Sequence, residues 1–127
     1  MSFCRQIDVT ATTIADGSVT VSTGVAINAR VLEIRYDGGL ATGGDFAITG
    51  KTSGKAIATI TNGGTSAITW QPRQVIHPVA NTGAGTALTY DGTNEIYEPI
   101  WIADEEIEIA VTNGGNVDVG VFSFIVG

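Results

Sequence analysis

A chain of 127 residues has room for one domain, with a core large enough to fold without disulfides or metals. Its formal net charge is −7, with only four arginines and two lysines. It lacks the basic footprint that neutralises phosphates, which excludes nucleic acid and anionic membrane surfaces as partners. Charged residues are 15% of the chain and hydrophobic ones 43%, so Thr, Ser, Asn and Gly, and in part another protein, are expected to cover the surface.

The chain opens Met-Ser-Phe-Cys-Arg-Gln, without the basic segment and apolar run of a signal peptide. No apolar stretch reaches the roughly 18 residues of a membrane span, and the reading is a soluble protein made in a cytoplasm. The single cysteine, Cys4, rules out an intrachain disulfide and is expected as a small buried residue at a strand start.

Helical periodicity is absent, and short runs of β-branched residues alternate with Gly, Asn and Asp. Strands are expected at residues 6–14, 18–23, 30–36, 45–49, 55–61, 65–70, 95–103, 105–112 and 117–126. Leu32-Glu33-Ile34-Arg35-Tyr36 and Glu106-Ile107-Glu108-Ile109 each put apolar side chains on one face and charges on the other. About nine short strands with turn signals between them predict an all-β fold, an antiparallel β-sandwich or jelly-roll. Asn62-Gly63-Gly64 and Asn113-Gly114-Gly115 read as hairpin ends.

Residues 71–94 do not read as strand, apart from a short piece at 87–90. They carry Pro72, His77, Pro78 and the run Asn81-Thr82-Gly83-Ala84-Gly85-Thr86, so a long loop or arm is expected, of the length that serves binding. The last strand is apolar on both faces: Val117, Val119, Val121 and Ile125 on one, Phe122, Phe124 and Val126 on the other. Such a strand is either central in the sandwich or packed against another subunit.

Chemistry finds little support. His77 is the only histidine and no Gly-x-Ser-x-Gly elbow accompanies it, so no base–nucleophile pair is assembled. Cys4 and His77 are isolated and lack paired zinc spacings. Asp104, Glu105, Glu106 and Glu108 form the densest acidic run; alternation points Glu106 and Glu108 away from Glu105, and a solvated strand entrance is expected rather than a calcium site. The glycines punctuate turns and none opens a helix that could hold phosphate. No catalytic residue, metal site or cofactor is expected. Of the aromatics, Trp101 is the likelier exposed ring, because Trp70 shares a face with Ile68.

The C-terminal third, from Ile102-Ala103-Asp104-Glu105-Glu106-Ile107 through Asn113-Gly114-Gly115-Asn116 to Phe122-Ser123-Phe124-Ile125-Val126-Gly127, resembles small tailed-bacteriophage virion structural proteins. The middle segment, with Gln71-Pro72-Arg73, His77 and Leu88-Thr89-Tyr90-Asp91-Gly92, is similar to the same family. The resemblance covers roughly residues 28 to 127. It implies a head decoration (cement) protein on the capsid surface of a virion, binding the major capsid protein or another virion protein. A tail or baseplate component, or a carbohydrate- or receptor-binding module, is the alternative. A homo-oligomer, dimer or trimer, is expected, with contacts drawn from Phe3, Pro72, Arg73, His77, Asn81, Thr82, Tyr90, Phe122 and Phe124.

Overall fold

Valine, isoleucine and threonine at alternate positions favour extended backbone, because branched side chains pack on a pleated surface. In the computed structural model, which describes residues 4–76, 87 and 89–127, they form ten strands. These are β1 (Arg5–Thr12), β2 (Val19–Ser22), β3 (Ile27–Tyr36), β4 (Asp45–Gly50), β5 (Ala56–Ile60), β6 (Ile68–Trp70), β7 (Arg73–Val75), β8 (Tyr97–Glu105), β9 (Ile107–Thr112) and β10 (Val119–Val126).

Two antiparallel sheets result. The first runs β1-β10-β3-β8-β7, with β6 also pairing with β3; the second runs β2-β9-β4-β5. β6 pairs with Ile34, Arg35 and Tyr36 of β3, while β8 pairs with residues 27–31 on the same strand. β6 and β8 are thus two halves of one interrupted strand, with β7 between them in sequence and paired to the far edge of β8. With the halves counted together, the sheets read 1-10-3-(6/8) and 2-9-4-5, and the chain passes repeatedly from one to the other. That is the β-sandwich connectivity of a jelly-roll.

The core lies between the sheets. Val31, Ile34, Tyr36, Ile100, Ile102, Phe122 and Phe124 come from the first sheet; Phe46, Ile48, Ile107, Ile109 and Val111 come from the second. Tyr36, Phe46 and Phe122 form an aromatic centre: Tyr36 stacks on Phe122 at 5.0 Å, and Phe46 meets Phe122 edge-on at 4.9 Å. Each such ring stabilises by about 1.5–3 kcal/mol through burial, and the edge contacts fix its orientation.

Several expectations change against this frame. Phe122 and Phe124, expected either in the core or in subunit packing, are completely buried in the core. β10 is central, flanked by β1 and β3; Phe122, Phe124 and Val126 face the core, while Val121 and Ile125 on the outer face are half-buried and Val119 is exposed. Val117 lies outside the last strand, with a φ of 54°. Cys4 is exposed, because it precedes β1 and escapes the core. Arg73–Val75, expected as loop, is a strand on β8.

The two Asn-Gly-Gly turns are not hairpin ends. Each carries the chain from the second sheet to the first: β5 to β6 and β9 to β10. They share one conformation. Asn62 and Asn113 have φ values of 54° and 55°, and Gly64 and Gly115 have 81° and 92°. The middle glycines serve a different need. A Cβ on Gly63 would come within 2.3 Å of the Phe46 ring, and one on Gly114 within 2.8 Å of the Thr13 methyl.

Candidate protein-binding surface

Four crossings between the sheets gather at one end of the sandwich, and hydrogen bonds join them. Gly114 N donates to Gly17 O at 2.8 Å, Thr42 Oγ1 to Asn113 O at 2.6 Å, and Gly63 N to Gly44 O at 2.9 Å. Asp45 accepts from Asn62 N and from Asn113 Nδ2, both at 2.8 Å. These bonds hold its carboxyl below the usual carboxylate range, the Asn62 amide contributing most. A shallow open pocket of about 320 Å³ lies here, touching Asp16, Thr42 and Asn116. Its carboxylate is already engaged, since Asp16 accepts from the Ser18 hydroxyl and amide.

The acidic run turns the corner from β8 to β9. Glu105 Oε1 accepts from Thr52 N at 2.9 Å and Ser53 N at 3.0 Å, so it caps the β4–β5 turn. The bonds that Ser53 donates, from its amide first and its hydroxyl second, hold the Glu105 carboxyl below the usual carboxylate range. Glu106 accepts from Ser22 Oγ and Gly24 N and pairs with Lys51 at 3.6 Å. Among the described residues, no group of three His, Cys, Asp or Glu side chains is placed to hold a metal ion.

The outer face of the first sheet is different. Tyr97, Pro99 and Trp101 share one face of β8, since alternate residues of a strand point the same way. Tyr97 is 58% exposed and Trp101 56%. Arg30 stands directly across from Trp101 on β3, with its guanidinium 5.6 Å from the indole centre. Arg73 stands across from Pro99 on β7. Leu32 is bulged in the β3–β10 ladder, where Val31 pairs with Val126 and Glu33 with Ile125. A bulged residue leaves backbone groups unpaired, and Arg73 Nη1 donates to the Leu32 carbonyl at 3.2 Å.

The contact residues expected from sequence divide accordingly. Arg73 belongs to this surface, and Pro72 beside it is buried, its carbonyl also accepting from Arg73. Tyr90 is 71% exposed and lies between β7 and β8 in sequence, away from the stripe's strands. Phe3, His77, Asn81 and Thr82 lie outside the described residues. Trp70 is half-buried against Tyr36, with rings 5.8 Å apart and nearly parallel, while Trp101 is the exposed indole. Tyr97 and Arg30 were not among the contact residues expected from sequence. The signal was present as aromatic–x–Pro–x–aromatic in a strand whose other face, Ile100 and Ile102, is apolar.

No protein-family model, curated protein or solved structure matches this chain.

Proposed function

We propose that this protein is a bacteriophage capsid decoration protein, which binds the outer shell and stabilises it through protein–protein contacts. The exposed Tyr97–Pro99–Trp101 stripe, flanked by Arg30 and Arg73, carries the reading. Tyr, Trp and Arg dominate binding energy at protein interfaces, because they combine large apolar area with directed hydrogen bonds. A strand holds them rigidly, so little side-chain freedom is lost on docking. The sequence resemblance to small tailed-phage structural proteins supplies the virion setting and the major capsid protein, or another virion protein, as partner. A standard interface buries about 800 Å² on each partner, and repetition around a shell multiplies its effect. The same stripe serves a tail or baseplate position equally well.

The test is co-sedimentation with undecorated shells. The protein should pellet with them, and Trp101→Ala together with Tyr97→Ala should weaken binding at least tenfold, with unchanged circular dichroism. Shells that ignore the protein while isolated tails bind it would move it to the tail. A second reading, a glycan-binding module, draws on the exposure of Trp101 alone. Retention on a carbohydrate matrix that is lost in Trp101→Ala would favour it.

A further inference from the structure

Among the described residues, strand edges without a neighbour fall on β1, β6 and β7 in the first sheet and on β2 and β5 in the second. All but one are blunted against further pairing, as sheet edges usually are. β6 and β7 have three residues each, on either side of Pro72, and β2 has four. β5 follows Lys55, and its ladder with β4 is broken by a shift of register between Ile48 and Thr49. β1 is the exception. Its eight residues, Arg5–Thr12, include no Pro, Gly or Lys, and they pair with β10 without any shift.

The phase of the backbone shows what that edge offers. In an antiparallel ladder, pairs that exchange hydrogen bonds alternate with pairs that do not. Thr13 N donates to Asp118 O at 2.9 Å, in the same register that matches Arg5 with Val126 and Thr12 with Val119. The residues of β1 bonded to β10 are therefore the odd ones: Arg5, Ile7, Val9 and Ala11. On the other side of β10, Asp37 N donates to Val121 O, which commits its odd residues to β3 and leaves the even ones for β1. Gln6, Asp8, Thr10 and Thr12 consequently aim both amide and carbonyl at the open edge, and all four are exposed.

We propose that β1 pairs with β1 of a second copy, antiparallel, about a two-fold axis that passes through Val9 perpendicular to the first sheet. Such an axis keeps buried face beside buried face, so only residues of like parity oppose each other. Two registers cover the strand equally. The one centred on Asp8 sets it against the partner's Asp8, and like charges directly opposite are destabilising. The one centred on Val9 opposes Asp8 to the partner's Thr10, Gln6 to the partner's Thr12, and Ile7 to the partner's Ala11. The facing even residues are those with open backbone groups, so each of their pairs exchanges two hydrogen bonds. Apolar side chains meet on the buried side. The pairing consumes both edges and closes, which gives a dimer and not a fibre. Both Trp101 side chains then face the same way, which on the proposed reading of the stripe gives attachment at two points. The dimer itself does not depend on that reading.

Sedimentation equilibrium of the whole chain is expected to show a dimer. Thr10→Asp sets a second carboxylate against the partner's Asp8 at both symmetric positions and should weaken the dimer about fivefold. Thr10→Lys supplies the opposite charge there and should tighten it by a similar factor. Thr10 bonds outward, so neither change touches the β1–β10 ladder, and circular dichroism should stay the same. Cross-linking in a Cys4→Ser background reads the register, since directly opposed residues lie within disulfide reach. Mixed Asp8→Cys and Thr10→Cys proteins should join to each other on oxidation far faster than either joins to itself. The amides of Gln6, Asp8, Thr10 and Thr12 should gain exchange protection as concentration rises, while those of Ile7, Val9 and Ala11 keep theirs throughout. A monomer at millimolar concentration overturns the proposal, and so does a dimer indifferent to both Thr10 substitutions. Asp8→Cys protein that cross-links chiefly to itself overturns the axis through Val9.

Discussion

Asn113 Nδ2 donates to Asp45 Oδ2 at 2.8 Å, across 68 residues of chain. The other oxygen of Asp45 accepts the Asn62 amide, so one carboxylate at the start of β4 ties together both Asn-Gly-Gly crossings. Asp45→Ala should leave two donors without this acceptor and loosen that end of the sandwich. The expected outcome is a melting temperature lowered by a few degrees, with faster amide exchange at Asn62 and no change at the Tyr97–Trp101 stripe. Hydrogen-exchange mass spectrometry reads both regions at once.

The same carboxylates set the acid limit of stability. Hydrogen bonds lower the groups of Asp8, Asp16, Asp45 and Asp91 from 3.8, and that of Glu105 from 4.5. A group depressed in the folded state binds protons more readily when unfolded, so its contribution is present above the unfolded value and lost as pH falls through the folded one. Denaturant midpoints should hold steady above about pH 5 and decline below pH 4.5, where the first of these groups protonates in the unfolded chain. At the alkaline end the sign reverses. Burial raises Tyr36 above its usual 10.0, so its contribution is complete below pH 10 and is lost as pH rises through the folded value. A midpoint that rises on acidification would contradict this.

Gly63→Ala should be far more damaging than an alanine in an open turn. The new methyl would lie within 2.3 Å of the Phe46 ring, which is fully buried in the aromatic centre. Overpacking of this kind costs about 1–3 kcal/mol. Gly92→Ala, where no atom lies within 4 Å of the added carbon, has a φ of 85° and should cost only about 1 kcal/mol of left-handed strain. Urea denaturation of the two variants separates crowding from backbone strain.

Strand alternation was enough to read the β class and most of the strands, because period-two patterns such as that of Glu106 to Val111 need one dry face. Asn-Gly-Gly could be read as a turn but not as a hairpin or a crossing, since positive φ is needed in both and the sheet partner is a tertiary fact. Likewise Phe122 and Val121 were visible as opposite faces of β10, but which face meets the core is decided by the second sheet, whose Phe46 packs on Phe122. Arg73–Val75 was hidden between Pro72 and His77: three residues carry too little pattern, and pairing with β8 supplies what propensity does not. The stripe was half legible. Trp101 could be read from its alternation with Ile100 and Ile102, whereas Arg30 and Arg73 meet it only through pairing between distant strands.

Arg73 holds β7 to the sheet as well as facing solvent, and the two roles can be separated. Its bond to the bulged Leu32 carbonyl joins β7 to β3 across β8. Arg73→Gln loses that bond, and a hydrogen bond of this kind is worth about 0.5–1.5 kcal/mol. The β3–β8 ladder itself does not depend on it, because residues 27–31 pair with β8 independently. The global denaturant midpoint should therefore fall only slightly. Amide exchange at Gln74 and Val75 should accelerate much more, since β7 is a three-residue edge strand with β8 as its partner. Equal acceleration in β3 and β7 would show that the bond supports the whole sheet, and unchanged exchange in β7 would show that ladder pairing alone holds the strand.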